Sequence, residues 1–143
     1  MKPTPDTLES YPHSISIPTR WADNDVYGHV NNAVYYFYFD TVVNTWLIDK
    51  GLLEIGKSEM ISLVVETGCN YFASLKFPET ITAGLWVAKV GSSSVRYEIG
   101  LFGEGQTTAS AQGHFVNVYV NKKNSKPMPI PDTMRRILGD IMI

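Results

Sequence analysis

Cysteine is almost absent: Cys69 stands alone among 143 residues. No intrachain disulfide can form, so a small fold stapled by bridges is excluded and the composition fits a reducing compartment. Cys69 itself reads as a small buried residue in a strand. Long apolar runs are missing too. None approaches the ~20 residues of a spanning helix, and the opening MKPTPDTLESYPHS carries no apolar signal-peptide core. A soluble cytoplasmic protein without a membrane partner is expected. Neither sign of charge dominates, with 12 Lys and Arg against 14 Asp and Glu. That balance excludes a strongly basic face, so nucleic acid is not an expected partner. Histidine is scarce and scattered (His13, His29, His114), without metal-ligand spacing. No metal and no other cofactor is expected.

What the chain does have is enough apolar content for one core. Apolar residues make up 44% and charged residues 18%, which suits a single globular domain. Residues 1–12 hold three prolines among polar residues and read as a loosely held arm. Residues 13–143 read as the domain. Its densest polar stretch is TRWADNDVYGHVNNAVYYFYFD, Thr19 to Asp40. Two carboxylates, a Gly, a His and three Asn there directly precede an aromatic-rich segment. Polar groups so placed suit a site at a helix N-terminus.

Asn31 to Lys50 gives mixed signals. Tyr35, Tyr36, Phe37, Tyr38 and Phe39 favour strands by propensity. The length of about 20 residues without a turn signal favours a helix. Asn31 or Asn32 can cap its start, and Gly51 suits the left-handed stop. The segment is assigned as a largely buried helix. Strands are predicted at His13 to Ile17 (short), Ile61 to Phe77 (long and alternating), Thr80 to Val90, Val95 to Phe102 and Thr107 to Val120. Leu63, Val65, Thr67, Cys69 and Tyr71 share one face, with a bulge at Gly68. Pro131 and Asp132 open a short C-terminal helix bearing Met134, Ile137, Leu138 and Ile141. One long helix against one curved antiparallel sheet is an α+β arrangement. Such a sheet leaves an exposed edge, and pairing it with a second subunit would protect it, so a homodimer is expected.

The motif D-x-D-x-x-G-H-V-N-N-x-x-Y, Asp23 to Tyr35, resembles the hotdog-fold acyl-CoA thioesterases of the 4-hydroxybenzoyl-CoA thioesterase-like branch. NYFASLKFPETI (Asn70 to Ile81), VGSSSVRYEI (Val90 to Ile99) and PIPDTMRRIL (Pro129 to Leu138) extend the likeness in order over nearly the whole chain after Pro12. The turn where the family often has Asp carries Glu79 here. The resemblance implies a five-stranded sheet wrapped round a central helix. It implies subunits paired through their sheets, as homodimers or dimers of dimers. It also implies hydrolysis of a thioester of coenzyme A, or of acyl carrier protein, with a fatty or aromatic acyl group.

By the same resemblance Asp25 matches the catalytic acid, as nucleophile or as general base for water. Its ordinary alternative is a turn or capping Asp. Asp23 reads as a structural acid holding the loop. Backbone amides entering the helix would bind the oxyanion, with Asn32 the main donor and Gly28 allowing close approach. His29 either donates to the thioester oxygen or steadies the loop. Tyr35, Tyr36 and Phe39 of the helix are expected to line the acyl pocket, although a core aromatic is the simpler role for each. Tyr27 is expected among the substrate-binding residues. Ser92, Ser93, Ser94 and Arg96 are expected near the pantetheine arm or phosphates. Lys122 and Lys123 offer further charge, or form a solvated turn. A hotdog hydratase is a weaker alternative: its motif puts His five residues after the Asp, whereas His29 follows Asp25 by four. A non-catalytic acyl-CoA-binding protein on the same fold is the other alternative, and retention of Asp25 argues against it.

Overall fold

A computed structural model describes residues 3–143. The strands are β1 (His13–Pro18), β2 (Met60–Tyr71), β3 (Thr80–Val90), β4 (Ser94–Phe102) and β5 (Ala111–Asn121). The helices are α1 (Val34–Asp49) and α2 (Asp132–Gly139). All pairings are antiparallel, and the sheet runs β1-β3-β4-β5-β2. Together α1 and this five-stranded sheet form the hotdog architecture. Among the described residues no helix is long and apolar enough to cross a membrane.

α1 sits in the sheet's hollow because it is apolar on nearly every side. Tyr35, Tyr38, Phe39, Val42, Val43, Trp46 and Leu47 are buried against Ile81, Leu85, Tyr97, Ile99 and Phe115. Burying each such side chain stabilises the fold by about 1.5–3 kcal/mol, far more than the helix propensity the aromatics forgo. Gly113 on β5 lets Phe39 lie flat on the strand: a Cβ there would overlap the Phe39 ring. The helix ends as predicted at Gly51 (φ 72°), where the amides of Gly51 and Leu52 return to the carbonyls of Ile48 and Leu47. Its start differs. Regular helix begins at Val34, not Asn31, because residues 31–33 form a separate turn. Of the two expected caps only Asn31 bonds that turn, with Oδ1 accepting from the Ala33 amide at 2.9 Å.

Two strand limits and one register also differ. β2 stops at Tyr71, and residues 72–79 leave the sheet as a strap over the α1 N-terminus. β5 starts at Ala111, since residues 103–110 form a loop. The β2 register slips between Val64 and Glu66, not at Gly68. Gly68 stays in register opposite His114, whose ring lies 2.9 Å from where a Cβ would stand. The slip breaks the predicted alternation, and Leu63, Val64 and Val65 are all exposed.

The arm read over residues 1–12 is pinned over its second half; residues 1 and 2 lie outside the described residues. The Leu8 amide donates to the Thr107 carbonyl and the Ala109 amide to the Asp6 carbonyl, while the Asp6 amide bonds the Gln112 side chain. Tyr11 is buried over Gly84 and Gly100, two positions where any side chain would clash with its ring. Local composition held no sign of this, because the slot belongs to strands some 70 to 90 residues further along the chain.

Candidate active site

The loop between β1 and α1 is built on Asp23. Its carboxylate is 1% exposed. It accepts from the Arg20 amide (2.9 Å), from Arg20 Nε and Nη2 (3.0 and 2.8 Å) and from the Tyr38 hydroxyl (2.7 Å). Burial alone would raise its pKa. The bonds from Tyr38 and Arg20, with the Arg20 charge, outweigh burial and hold it below the ordinary carboxylate value. The Asp23 carbonyl accepts the Asn31 amide at 2.9 Å, which ties the loop to the helix entrance.

Asp25 follows two residues later and is half-buried. Its Oδ1 accepts from the Tyr27 amide at 2.8 Å and the His29 amide at 3.3 Å. The Asp25 amide donates to the His29 carbonyl at 2.7 Å, closing a tight ring. Gly28 turns that ring at φ 80°, where an L side chain is strained. Oδ2 has no hydrogen-bond partner among the described residues, and the carboxylate lines a cleft of about 410 Å³. The turn role and an open carboxylate oxygen therefore coexist in one side chain.

His29, Val30, Asn32, Tyr35, Tyr71, Phe72, Ala73 and Ser74 complete the cleft. The amides of Val30, Asn31, Ala33 and Val34 are all taken by internal acceptors. The Asn32 amide has none among the described residues and stands just ahead of the positive end of α1. Tyr35 is buried, and its hydroxyl accepts the Leu75 amide at 3.3 Å. Burial raises the Tyr35 pKa, so the hydroxyl stays neutral. The strap is pinned again where the Leu75 carbonyl accepts the Val30 amide and Asn24 Oδ1 accepts the Phe77 amide.

Of the residues anticipated for the site, the cleft thus gathers Asp25, His29, Asn32 and Tyr35, with Gly28 shaping the loop behind Asp25. Tyr36 turns to Phe39 in an edge-on ring contact, and Tyr27 points outward into solvent. Ser92 to Ser94 lie at the other end of the same sheet. The Ser92 and Ser93 carbonyls accept the Ile130 and Tyr119 amides there, which anchors the C-terminal tail. Arg96 is on the sheet face away from α1, held by Glu98 (2.6 Å) and Glu66 (3.5 Å). Within one chain neither the serines nor Arg96 reaches Asp25. The strap residues Phe72, Ala73 and Ser74 and the β2 residue Tyr71 were not anticipated in the site. They had been read as part of one unbroken strand, and only the break after Tyr71 turns them over the cleft.

A five-stranded antiparallel sheet curled round one helix is the fold of the hotdog thioester hydrolases. The comparisons with known proteins agree. The family model described as the thioesterase-like superfamily matches residues 19–138, and the chain belongs to that family. A solved structure of the PA5185 protein from Pseudomonas aeruginosa strain PAO1 is 50% identical, covers 96% of each chain and superposes with a TM-score of 0.93. A thioesterase from Thermus thermophilus, solved in complex with coenzyme A and Zn, is 26% identical over 94% of this chain and 95% of that one, with a TM-score of 0.75. YsmA of Bacillus subtilis strain 168, an uncharacterised protein, is 25% identical over 85% of this chain and 82% of its own length.

Proposed function

We propose that the protein hydrolyses an acyl-CoA to the free acid and coenzyme A, with Asp25 activating or delivering the attacking oxygen and the Asn32 amide receiving the oxyanion. The observation that carries this is the pairing, at one cleft, of an unpartnered carboxylate oxygen with an unpartnered amide at a helix entrance. In the tetrahedral intermediate the carbonyl oxygen becomes an anion. An amide without an internal acceptor, beside the positive end of α1, stabilises that charge. His29 lines the same cleft and steadies the Asp25 ring through its own backbone. The coenzyme A bound by the Thermus thermophilus thioesterase supports the same carrier here. The purified protein should release free thiol from fatty or aromatic acyl-CoA, read with a coloured thiol reagent. No release across an acyl-CoA panel would refute the assignment.

The proposed active form is a dimer paired along β2. This edge strand is 12 residues long and leaves Leu63, Val64 and Val65 exposed at 45, 48 and 61%. An unprotected apolar edge is a pairing template. Antiparallel pairing about the centre of β2 reverses the partner strand, placing its Met60 beside Tyr71. The partner's Ser92–Ser94 turn, Lys122 and Lys123 then arrive at the end of the sheet that holds Asp25. That is how a turn remote within one chain can serve the pantetheine and phosphates. Val65→Lys should convert a dimer to monomer in light scattering and abolish turnover together with it. A V65K protein that stays dimeric would place the interface elsewhere.

A further inference from the structure

Tyr71 is a polar residue of the cleft to which the proposed reaction gives no role. Tyr71, the last residue of β2, is partly exposed, and a tyrosine there could hydrogen-bond water. Instead its hydroxyl crosses to the Asn32 carbonyl at 3.0 Å. Its ring is fixed by an edge-on contact with Tyr35, with centroids 4.9 Å apart. Desolvation, with Cys69 and Tyr36 nearby, raises the Tyr71 pKa, so the hydroxyl keeps its proton and can donate.

The peptide it grips is the one between Asn32 and Ala33. The N–H of that same peptide donates to Asn31 Oδ1 at 2.9 Å. Both polar ends of one peptide plane are therefore held, one from within the turn and one from the sheet. The preceding plane, which carries the free Asn32 amide, is held only at its carbonyl, by the Val34 amide at 2.9 Å. Holding the 32–33 plane fixes the position of the Asn32 Cα, to which the preceding plane is joined, and so limits how the Asn32 N–H can swing. No other side chain from outside the turn is bonded to these two planes among the described residues.

We propose that Tyr71 is a positioning residue for the oxyanion donor: its hydroxyl anchors the Asn32–Ala33 peptide so that the Asn32 amide faces the cleft. Tyr71 acts through the backbone and does not touch the reacting carbonyl. The inference rests on the thioesterase reading of the site. It also ties the donor to the edge strand, so the same residue that closes β2 sets the geometry of the helix entrance.

The test is Tyr71→Phe, which keeps the ring on Tyr35 and removes one bond. A misaimed donor weakens transition-state binding more than substrate binding, so kcat should fall about tenfold, the worth of one lost hydrogen bond. KM should stay within about twofold, because the groups that bind substrate are untouched. Exchange of the Ala33 amide, followed by NMR in the free protein, should quicken about tenfold as the plane loosens. Unchanged kcat in a turning-over Y71F enzyme, or unchanged Ala33 exchange, overturns the positioning role and leaves the thioesterase reading standing. A loss confined to KM overturns it as well. A wild-type protein with no turnover on any acyl-CoA overturns both, and the failure is then assigned to the reading of the site.

Discussion

Asp25→Asn should lower kcat by about three orders of magnitude with the fold intact, within the 10²–10⁴ range of a lost general base. The substitution separates the two jobs of this side chain. An asparagine retains a carbonyl oxygen to accept from the Tyr27 and His29 amides, so the loop keeps its ring. It replaces the free Oδ2 by an amide nitrogen, which neither attacks a carbonyl nor takes a proton from water. Thiol release measures the loss, and thermal unfolding within a degree or two of wild type shows the loop is intact. A D25N protein that turns over normally would leave Asp25 as a turn residue only. A single turnover in H₂¹⁸O then distinguishes the two chemistries. A water-derived oxygen appears in the acid if Asp25 is a base. If Asp25 attacks and water opens the mixed anhydride at the Asp25 carbonyl, the first-formed acid carries an Asp25 oxygen and the label enters the protein.

The parts of this site that were legible in the sequence are those carried by one short stretch. Asp25, Gly28, His29 and Asn32 span eight residues, and a turn of that length brings them together whatever the rest of the chain does. The buried helix was legible for a related reason: length without a turn signal outweighs the strand propensity of five consecutive aromatics once a sheet is available to bury them. Contacts set by distant partners were not. Tyr71 meets Asn32 across 39 positions, and the Gly84 and Gly100 slot that captures Tyr11 exists only after β3 and β4 pair. Gly68 looked like a bulge because a strand glycine usually marks irregular backbone. Its use here is clearance for the His114 ring, a reason that becomes visible only in the β2–β5 register. The Ser92 turn and Arg96 illustrate a further limit. Their chemistry suits phosphates, yet one chain's topology puts the turn at the opposite end of the sheet and matches the arginine with two acids.

Asp23→Asn should cost about 3 kcal/mol of folding stability, since hydrogen bonds to a charged group are worth about 1.5–3 kcal/mol each and several are weakened together. The magnitudes decide which partner matters. The Arg20 side chain is 73% exposed, so the ion pair itself contributes about 0–1 kcal/mol and Arg20→Ala should be mild. The larger share comes from Tyr38, whose hydroxyl sits 2.7 Å from Asp23 Oδ2 in the core, and from the Arg20 amide. The pH dependence gives the sign. The folded pKa of Asp23 lies below the ordinary value of 3.8, so its stabilisation is complete above about pH 4 and disappears as pH falls through the folded value. The gap between wild type and D23N in urea midpoints should therefore be constant near neutrality and close only in strong acid. A gap that closes above pH 5 would mean another group titrates there. Because the Asp23 carbonyl also holds the Asn31 amide, the same variant should lose activity without losing Asp25, through a loosened helix entrance.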